Sequence, residues 1–252
     1  MKKKNKIFSA LPVTLLAASA VLLAGSTVGS ARAALTYYSE NYAAEVTVSS
    51  IGVSLMENGK VVASRDYNHS NDQWNEQSGK LLENTFEDGK LSPGKVYTEE
   101  LSVTNSGSID NYVRVTLYKS WMDENGNKVT TLAPDLIKLN GLGGEGWIID
   151  ENSSTEERTV LYYTRPVPAG TGTPNLMDTI AVDKVIADKV EKIPGQDAAG
   201  NATITYKYKY DGYSFNLDAE VDAVQTHNAE DAIKSAWGVD VSVSSDGTLS
   251  LR

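Results

Sequence analysis

Hydrophobic and polar residues alternate along much of this chain, with the two-residue period of a β-strand that buries one face. In KVYTEELSVTN, residues 95–105, the apolar side chains Tyr97, Leu101 and Val103 share one parity. The stretch NYVRVTLYKSW, residues 111–121, repeats the pattern with Val113, Val115, Leu117 and Trp121. Because the connection NSGSID is typical of a loop, the two strands are predicted to form an antiparallel pair.

Alternation predicts further strands at residues 45–55, 146–149, 158–164, 202–210 and 214–226. Asp211-Gly212 is a favoured tight-turn pair, so residues 202–226 are predicted to form one long hairpin. The valines at 239, 241 and 243, the turn SSDG and the leucines at 249 and 251 predict a second hairpin. Within residues 171–201 we expect a strand at Met177–Val182, a helical turn and then a mobile loop.

Helix signals are scarce, and the best candidate is NAEDAIKSAWG, residues 228–238. Asn228 is suited to cap its start, and Gly238 to end it. Its apolar face comprises Ala232, Ile233, Ala236 and Trp237. Many short antiparallel strands with one or two short helices predict an all-β sandwich or barrel.

The first 33 residues have the pattern of a secretory signal peptide. Lysines at positions 2, 3, 4 and 6 precede the apolar run 10–25, and Ala31-Arg32-Ala33 forms an A-x-A cleavage pattern before Ala34. The alternative is a membrane anchor, but the run is shorter than the roughly 20 apolar residues that span a bilayer. We therefore expect cleavage, a secreted mature chain and no membrane association afterwards.

Removal of this leader makes the chain more acidic. The formal charge of −10 includes four lysines and Arg32 from the leader, so the mature chain carries −10 − 5 = −15. This balance argues against nucleic acid or anionic lipid as a partner, since both are negative.

The sequence has no cysteine, so stability must come from a hydrophobic core or from assembly with other chains. The length after the leader suits one domain.

Candidate metal ligands are few. The two histidines, His69 and His227, belong to no HExxH pattern, and a site that joins them to Asp66, Asp72 or Asp231 requires the fold to bring them together. Both are interpreted as polar loop residues.

The stretch MDENGNK offers oxygen atoms at Asp123, Asn125 and Asn127, but it lacks the remaining ligands of a calcium loop, so a turn is predicted. No GxSxG motif, P-loop or cysteine nucleophile occurs in the sequence. No catalytic residue, metal site or cofactor is predicted.

All thirteen tyrosines follow the leader. Three of them, Tyr206, Tyr208 and Tyr210, form the ladder YKYKY. A strand with one aromatic face explains this ladder as ordinary packing within a sheet. The alternative is an aromatic surface for a sugar or a partner strand.

The leader, SPGKVYTEELSVTNSGSIDNYVRVTLYKSW and the closing NLDAEVDAVQTHNAEDAIKSAWG, taken in this order, resemble the TasA, CalY and camelysin family of exported proteins from Gram-positive bacteria. The ending VQTHNAEDAIKSAWG is most similar to members called alternate signal-mediated exported proteins. The resemblance implies a jelly-roll-like antiparallel β-sandwich over residues 47–252, processing by a SipW-type signal peptidase, and a place in the biofilm matrix or at the cell surface.

In that family, residues just after the cleavage site can enter the sheet of the next subunit and build fibres. For this chain the resemblance implies a donor segment, residues 34–46. Its candidate contact residues are Leu35, Tyr37, Tyr38, Tyr42, Ala44 and Val46. Strand addition supplies backbone hydrogen bonds for affinity and alternating side chains for register.

The expected function is therefore that of a structural protein, not an enzyme, which associates with itself and with other matrix proteins or polysaccharide. One alternative is a surface module that binds a glycan or a host protein. The camelysin name implies a metalloprotease, but without a zinc motif in the sequence that activity is not carried over.

Overall fold

The computed structural model describes residues 50–68, 73–83, 85–86 and 91–252, which all fall within one compact unit of the chain. The predicted signal peptide, its cleavage residues Ala31, Ala33 and Ala34, the donor segment and His69 lie outside the described residues.

The first strands are β1 Gly52–Glu57, β2 Lys60–Asn68, β3 Gln73–Gln77, β4 Val96–Thr104, β5 Asn111–Met122, β6 Lys128–Val129, β7 Ile137–Asn140 and β8 Trp147–Ile149. The later strands are β9 Arg158–Tyr163, β10 Met177–Val182, β11 Val190–Gln196, β12 Ala202–Tyr208, β13 Ser214–Gln225, β14 Val241–Val243 and β15 Leu249–Leu251. Helix α1 is Ala229–Trp237, and the 3-10 helices are Pro134–Leu136 and Lys184–Asp188.

These strands form two large sheets and two separate hairpins. The first sheet has the order β3-β2-β1-β4-β10-β7, and the second has the order β13-β5-β9-β8 with β6 beside the end of β5. The hairpins are β11–β12 and β14–β15. Every strand pair is antiparallel. The prediction of an all-β sandwich with few helices is confirmed.

The two large sheets meet in an apolar core. The buried side chains at its centre include Leu101, Val103, Val113, Val115, Leu117 and Ile180. Phe86 contacts Tyr97 of β4 and Phe215 of β13, with ring centroids 5.0 and 5.9 Å apart. From β5, the Lys119 ammonium donates to the Ile137 carbonyl of β7 at 2.7 Å. Burial of these side chains is the main favourable term in the stability of the sandwich.

Helix α1 and the β14–β15 hairpin cover the opposite face of the second sheet at one end. Ile233 of α1 is fully buried there, and the Tyr112 hydroxyl of β5 donates to the Gly247 carbonyl at 2.7 Å. The helix ends at Gly238, as predicted. The predicted cap is wrong in detail, because Asn228 adopts the left-handed conformation and its side chain makes no capping bond. Its carbonyl instead accepts the Ala232 amide.

The predicted pairing of β4 with β5 is wrong, although both strands exist. Strand β4 lies between β1 and β10, and β5 lies in the other sheet. Their connection crosses between the sheets, and the Asn105 side-chain amide holds it by donating to the carbonyls of Ile109 and Val167, each at 2.8 Å. The two strands therefore lie in different sheets instead of side by side in one sheet.

The predicted hairpin around Asp211-Gly212 is also wrong. Strand β12 pairs with β11, while β13 pairs with β5. Tyr210, between β12 and β13, is buried and stacks on Trp121 with the ring centroids 4.9 Å apart, so the chain turns into the core at this point. Residues 190–196, predicted as a mobile loop, form β11.

Candidate functional site

The outer edge of β13 is the longest sheet edge without a partner among the described residues. Strand β13 pairs with β5 through all twelve of its residues, from Ser214 to Gln225. No described strand pairs with its other side. We call this side the acceptor edge, because an edge strand presents outward N–H and C=O groups that another strand can pair with.

Side chains beside the acceptor edge show incomplete burial. The core-facing residues of β13 are Phe215, Leu217, Ala219, Val221 and Ala223. Of these, Phe215, Ala219 and Val221 are only half-buried. Their neighbours across the β5 pairing, Trp121, Leu117 and Val115, are at most 3% exposed. The second sheet therefore leaves apolar core-facing surface uncovered at the position of one more strand.

The remaining edges are shorter. Strand β3 ends one side of the first sheet with five residues, and β7 ends the other side with four. Strand β8 ends the second sheet with three residues. The thirteen residues of segment 34–46 match the length of the acceptor edge best, since extended strands rise by about 3.3 Å per residue.

The N-terminal side of the sandwich is fixed to the connection between β4 and β5. The Ser108 amide donates to the Ser50 carbonyl at 2.9 Å, and the Ser50 amide donates to the Ser108 hydroxyl at 2.8 Å. At Gly107 the chains approach so closely that an added Cβ would lie 2.5 Å from the Ser50 carbonyl oxygen. This contact lies just before β5, whose first residue Asn111 pairs with Gln225 at the end of β13.

The outward face of β13 is polar and acidic. It carries Asn216, Asp218, Glu220 and Asp222. Arg114 of β5 pairs with Asp222 at 2.6 Å and lies over the Trp237 ring, 5.4 Å from its centroid. The outward side chains of β13 thus include a paired carboxylate, whereas Phe215, Ala219 and Val221 on the core-facing side are only half-buried.

A buried carboxyl pair, Glu57 and Glu99, lies beneath the segment before β4. The Leu82 amide donates to Glu57, and the Thr85 hydroxyl donates to Glu99, each at 2.6 Å. Glu99 is fully buried. Burial, together with the hydrogen bond to Glu57, raises the pKa of Glu99 to about 8, so the pair holds a proton at neutral pH. The sequence analysis missed this pair, which the strand pairing of β1 with β4 brings together.

The MDENGNK stretch forms a turn. The Asp123 carboxylate accepts the amides of Asn125 and Asn127 and the Asn127 side chain, as predicted for a turn. The Asn127 backbone and side-chain hydrogen bonds lower the pKa of Asp123. His227 is exposed beside helix α1. Within the described residues, no group of three His, Cys, Asp or Glu side chains could hold a metal ion.

The tyrosine ladder divides into two environments. Tyr210 is buried, in agreement with the packing interpretation. Tyr206 and Tyr208 are instead 55% and 52% exposed on the β11–β12 hairpin, so packing within the sandwich does not explain them. The sequence pattern could not separate these cases, because the ladder continues past the end of β12 into the turn that reaches the core.

Comparison of the chain with protein-family models, curated proteins and solved structures finds no match. In the part of the chain that the structure describes, no helix is both long and apolar enough to cross a membrane. A functional interpretation therefore depends on the geometry above and on the sequence resemblance.

Proposed function

We propose that this protein is a secreted structural protein of the extracellular matrix or cell surface that assembles into fibres by strand addition. In this proposal, cleavage after Ala33 frees the donor segment, and the segment pairs with the acceptor edge of the next subunit. The half-buried core-facing side of β13 carries the proposal, because it lacks the cover that one more strand would provide.

The donor sequence has a partial alternation. Tyr38, Tyr42, Ala44 and Val46 share one parity, which directs them to one face of an extended strand, and Glu40 between the tyrosines has the same parity. Beside β13, that face would cover Ala219 and Val221 and extend the apolar core. Leu35 and Tyr37 have the opposite parity and would lie on the outward face.

The resemblance to the TasA, CalY and camelysin family supports the same function. It adds processing by a SipW-type signal peptidase, which would make assembly depend on export. The absence of cysteine is consistent with stabilisation by assembly, since no disulfide can hold the mature chain together.

The decisive experiment compares two purified chains, one beginning at Ala34 and one beginning at Glu45. We expect the longer chain to form fibres visible by electron microscopy, and the shorter chain to stay monomeric in analytical ultracentrifugation. Equal assembly by both chains would show that the donor segment is not required.

A peptide of residues 34–46, added to the shorter chain, provides the matched test. Binding to the acceptor edge should raise the melting temperature with increasing peptide concentration, while a scrambled peptide should have no effect. A chain from Ala34 that stays monomeric at every concentration, yet melts above the shorter chain, would instead indicate that the segment fills its own edge. That result would contradict fibre formation.

A further inference from the structure

The base of the β11–β12 hairpin and the turn after β5 enclose an open cleft of about 740 Å³. Its lining includes the ends of the hairpin with Tyr208, and the turn that carries Tyr213. Asp123–Asn125 of the turn after β5 and Leu132 also line it. Its volume is in the range of small-molecule sites in proteins, roughly 300–1,000 Å³.

Two exposed aromatic rings contribute apolar surface to this cleft. Tyr208 is 52% exposed and Tyr213 is 40% exposed, whereas Leu132 is buried and offers almost no surface. Tyr206 stands two residues before Tyr208 on the same face of β12, where the Lys192 ammonium lies 5.7 Å from its ring centroid. The aromatic face therefore continues from the cleft along the hairpin.

The rest of the lining forms hydrogen bonds. It includes the carboxylates of Glu124, Asp188 and Asp211 and the ammonium groups of Lys207 and Lys209. Carboxylates accept hydrogen bonds and ammonium groups donate them, so the lining can pair with a hydroxyl group both as a donor and as an acceptor. A protein partner would need a buried apolar anchor pocket, which this lining does not provide.

We propose that this cleft binds a neutral polysaccharide, with the Tyr208 and Tyr213 rings against the apolar C–H faces of its sugar rings. Hydroxyl groups around each sugar then bond to the charged lining. Five acidic and three basic residues line the cleft, which gives 3 − 5 = −2, and the mature chain carries −15. An anionic polymer would be repelled by both charges.

The hairpin itself supports this assignment. A two-stranded hairpin is marginally stable in water, and every residue of β12 is exposed. A ligand that covers its aromatic face would add the contacts that the sandwich does not supply. The hairpin is a separate sheet from the one that contains β13, although Tyr213 of the cleft directly precedes Ser214 at the start of the acceptor edge.

The test is isothermal titration of the chain without its signal peptide against a soluble neutral glucan, a galactomannan, an N-acetylglucosamine oligomer and a polygalacturonate. We expect binding to at least one neutral glycan and none to the polygalacturonate. The double variant Y208S/Y213S should weaken that binding by about tenfold or more, since it removes two stacking rings.

Two control variants test whether glycan binding depends on the aromatic rings of Tyr208 and Tyr213. Y208F/Y213F retains both rings and should keep the affinity of the parent chain. Ile193 is 42% exposed on the opposite face of the hairpin, and I193S should also leave binding unchanged. No binding to any neutral glycan, binding to polygalacturonate alone, or equal binding by Y208S/Y213S would each overturn the proposal.

Discussion

Apolar side chains reach solvent along the acceptor edge of β13 and on the β11–β12 hairpin for different physical reasons. On β13, Ala219 and Val221 point towards a core that already exists and lack only a neighbour on one side. On the hairpin, the Tyr206 and Tyr208 side chains are more than half exposed, at 55% and 52%. The first surface suits another strand, which needs backbone pairing, and the second suits a ligand that stacks on rings.

The largest expected effect is on assembly through the acceptor edge. Val221→Lys places a charge where a donor strand would cover it, so it should slow polymerisation by roughly 100-fold, because burial of an unpaired charge costs several kcal/mol. The monomer should lose only about 1 kcal/mol of unfolding free energy, since the site is half-exposed. Light scattering and chemical denaturation measure the two effects.

Asn216→Lys is the matched control, because it makes the same charge change on the outward face of the same strand. It should assemble like the parent chain. If both lysine variants assemble normally, β13 is not the acceptor.

The second effect concerns the Glu57–Glu99 pair, which the Thr85 hydroxyl contacts one residue before Phe86. The folded state keeps a proton on Glu99 up to a pKa of about 8, whereas an unfolded glutamate has the ordinary value of 4.5. Between these values the folded state binds more protons than the unfolded state, so stability falls as pH rises. The loss through this window is on the order of 5 kcal/mol.

Glu99→Gln should flatten this dependence when unfolding is measured by denaturant titration between pH 5 and 8. Glu100→Gln, at the exposed neighbouring position, should keep the slope of the parent chain. A slope that is identical in all three proteins would show that Glu99 ionises normally.

The smallest expected effect is on stability, which should respond differently to substitution of Tyr210 and of Tyr208 in the ladder. Tyr210→Ser removes a buried ring that stacks on Trp121 and should cost about 3 kcal/mol. Tyr208→Ser removes an exposed ring and should change stability by about 0.5 kcal/mol or less. Thermal unfolding of the two variants measures the difference, and a large cost at Tyr208 would mean that its ring supports the fold.

Strand positions were largely predictable from sequence, but strand partners were not. Alternation located β4, β5, β9, β10 and β13, because each buries one face against the core. Which strands pair depends on the path of the connections between them. The Asn105 side chain holds the connection from β4 to β5 across the two sheets, and its hydrogen bonds leave no periodic pattern in the sequence.

The missed strands have a physical explanation. Strand β11 contains Pro194-Gly195, which breaks the strand pattern and is tolerated because the hairpin has free edges. Strands β2 and β3 are mostly exposed or half-buried, so their alternation is weak. The Asn58-Gly59 pair, with φ of 49° and 78°, was the available signal for the turn between β1 and β2.

The features of the candidate site that depend on strand pairing were likewise not predictable from the sequence. A donor sequence can be inferred from its alternation and position, but an unpaired sheet edge depends on how all the other strands pair. Likewise, Glu57 and Glu99 form a pair only because β1 lies against β4. Sequence spacing alone could indicate neither.

The contacts of Ser50 with Ser108 and Gly107 also determine how the protein would bear load in a fibre. Tension on the donor segment would enter the sandwich at Ser50 and run along β1, which is hydrogen-bonded to β2 on one side and β4 on the other. Such a pull is parallel to the strand, so both ladders would be sheared together instead of opening one bond at a time. We therefore expect single fibres to resist stretching more strongly at this junction than a terminal hairpin such as β14–β15 would allow.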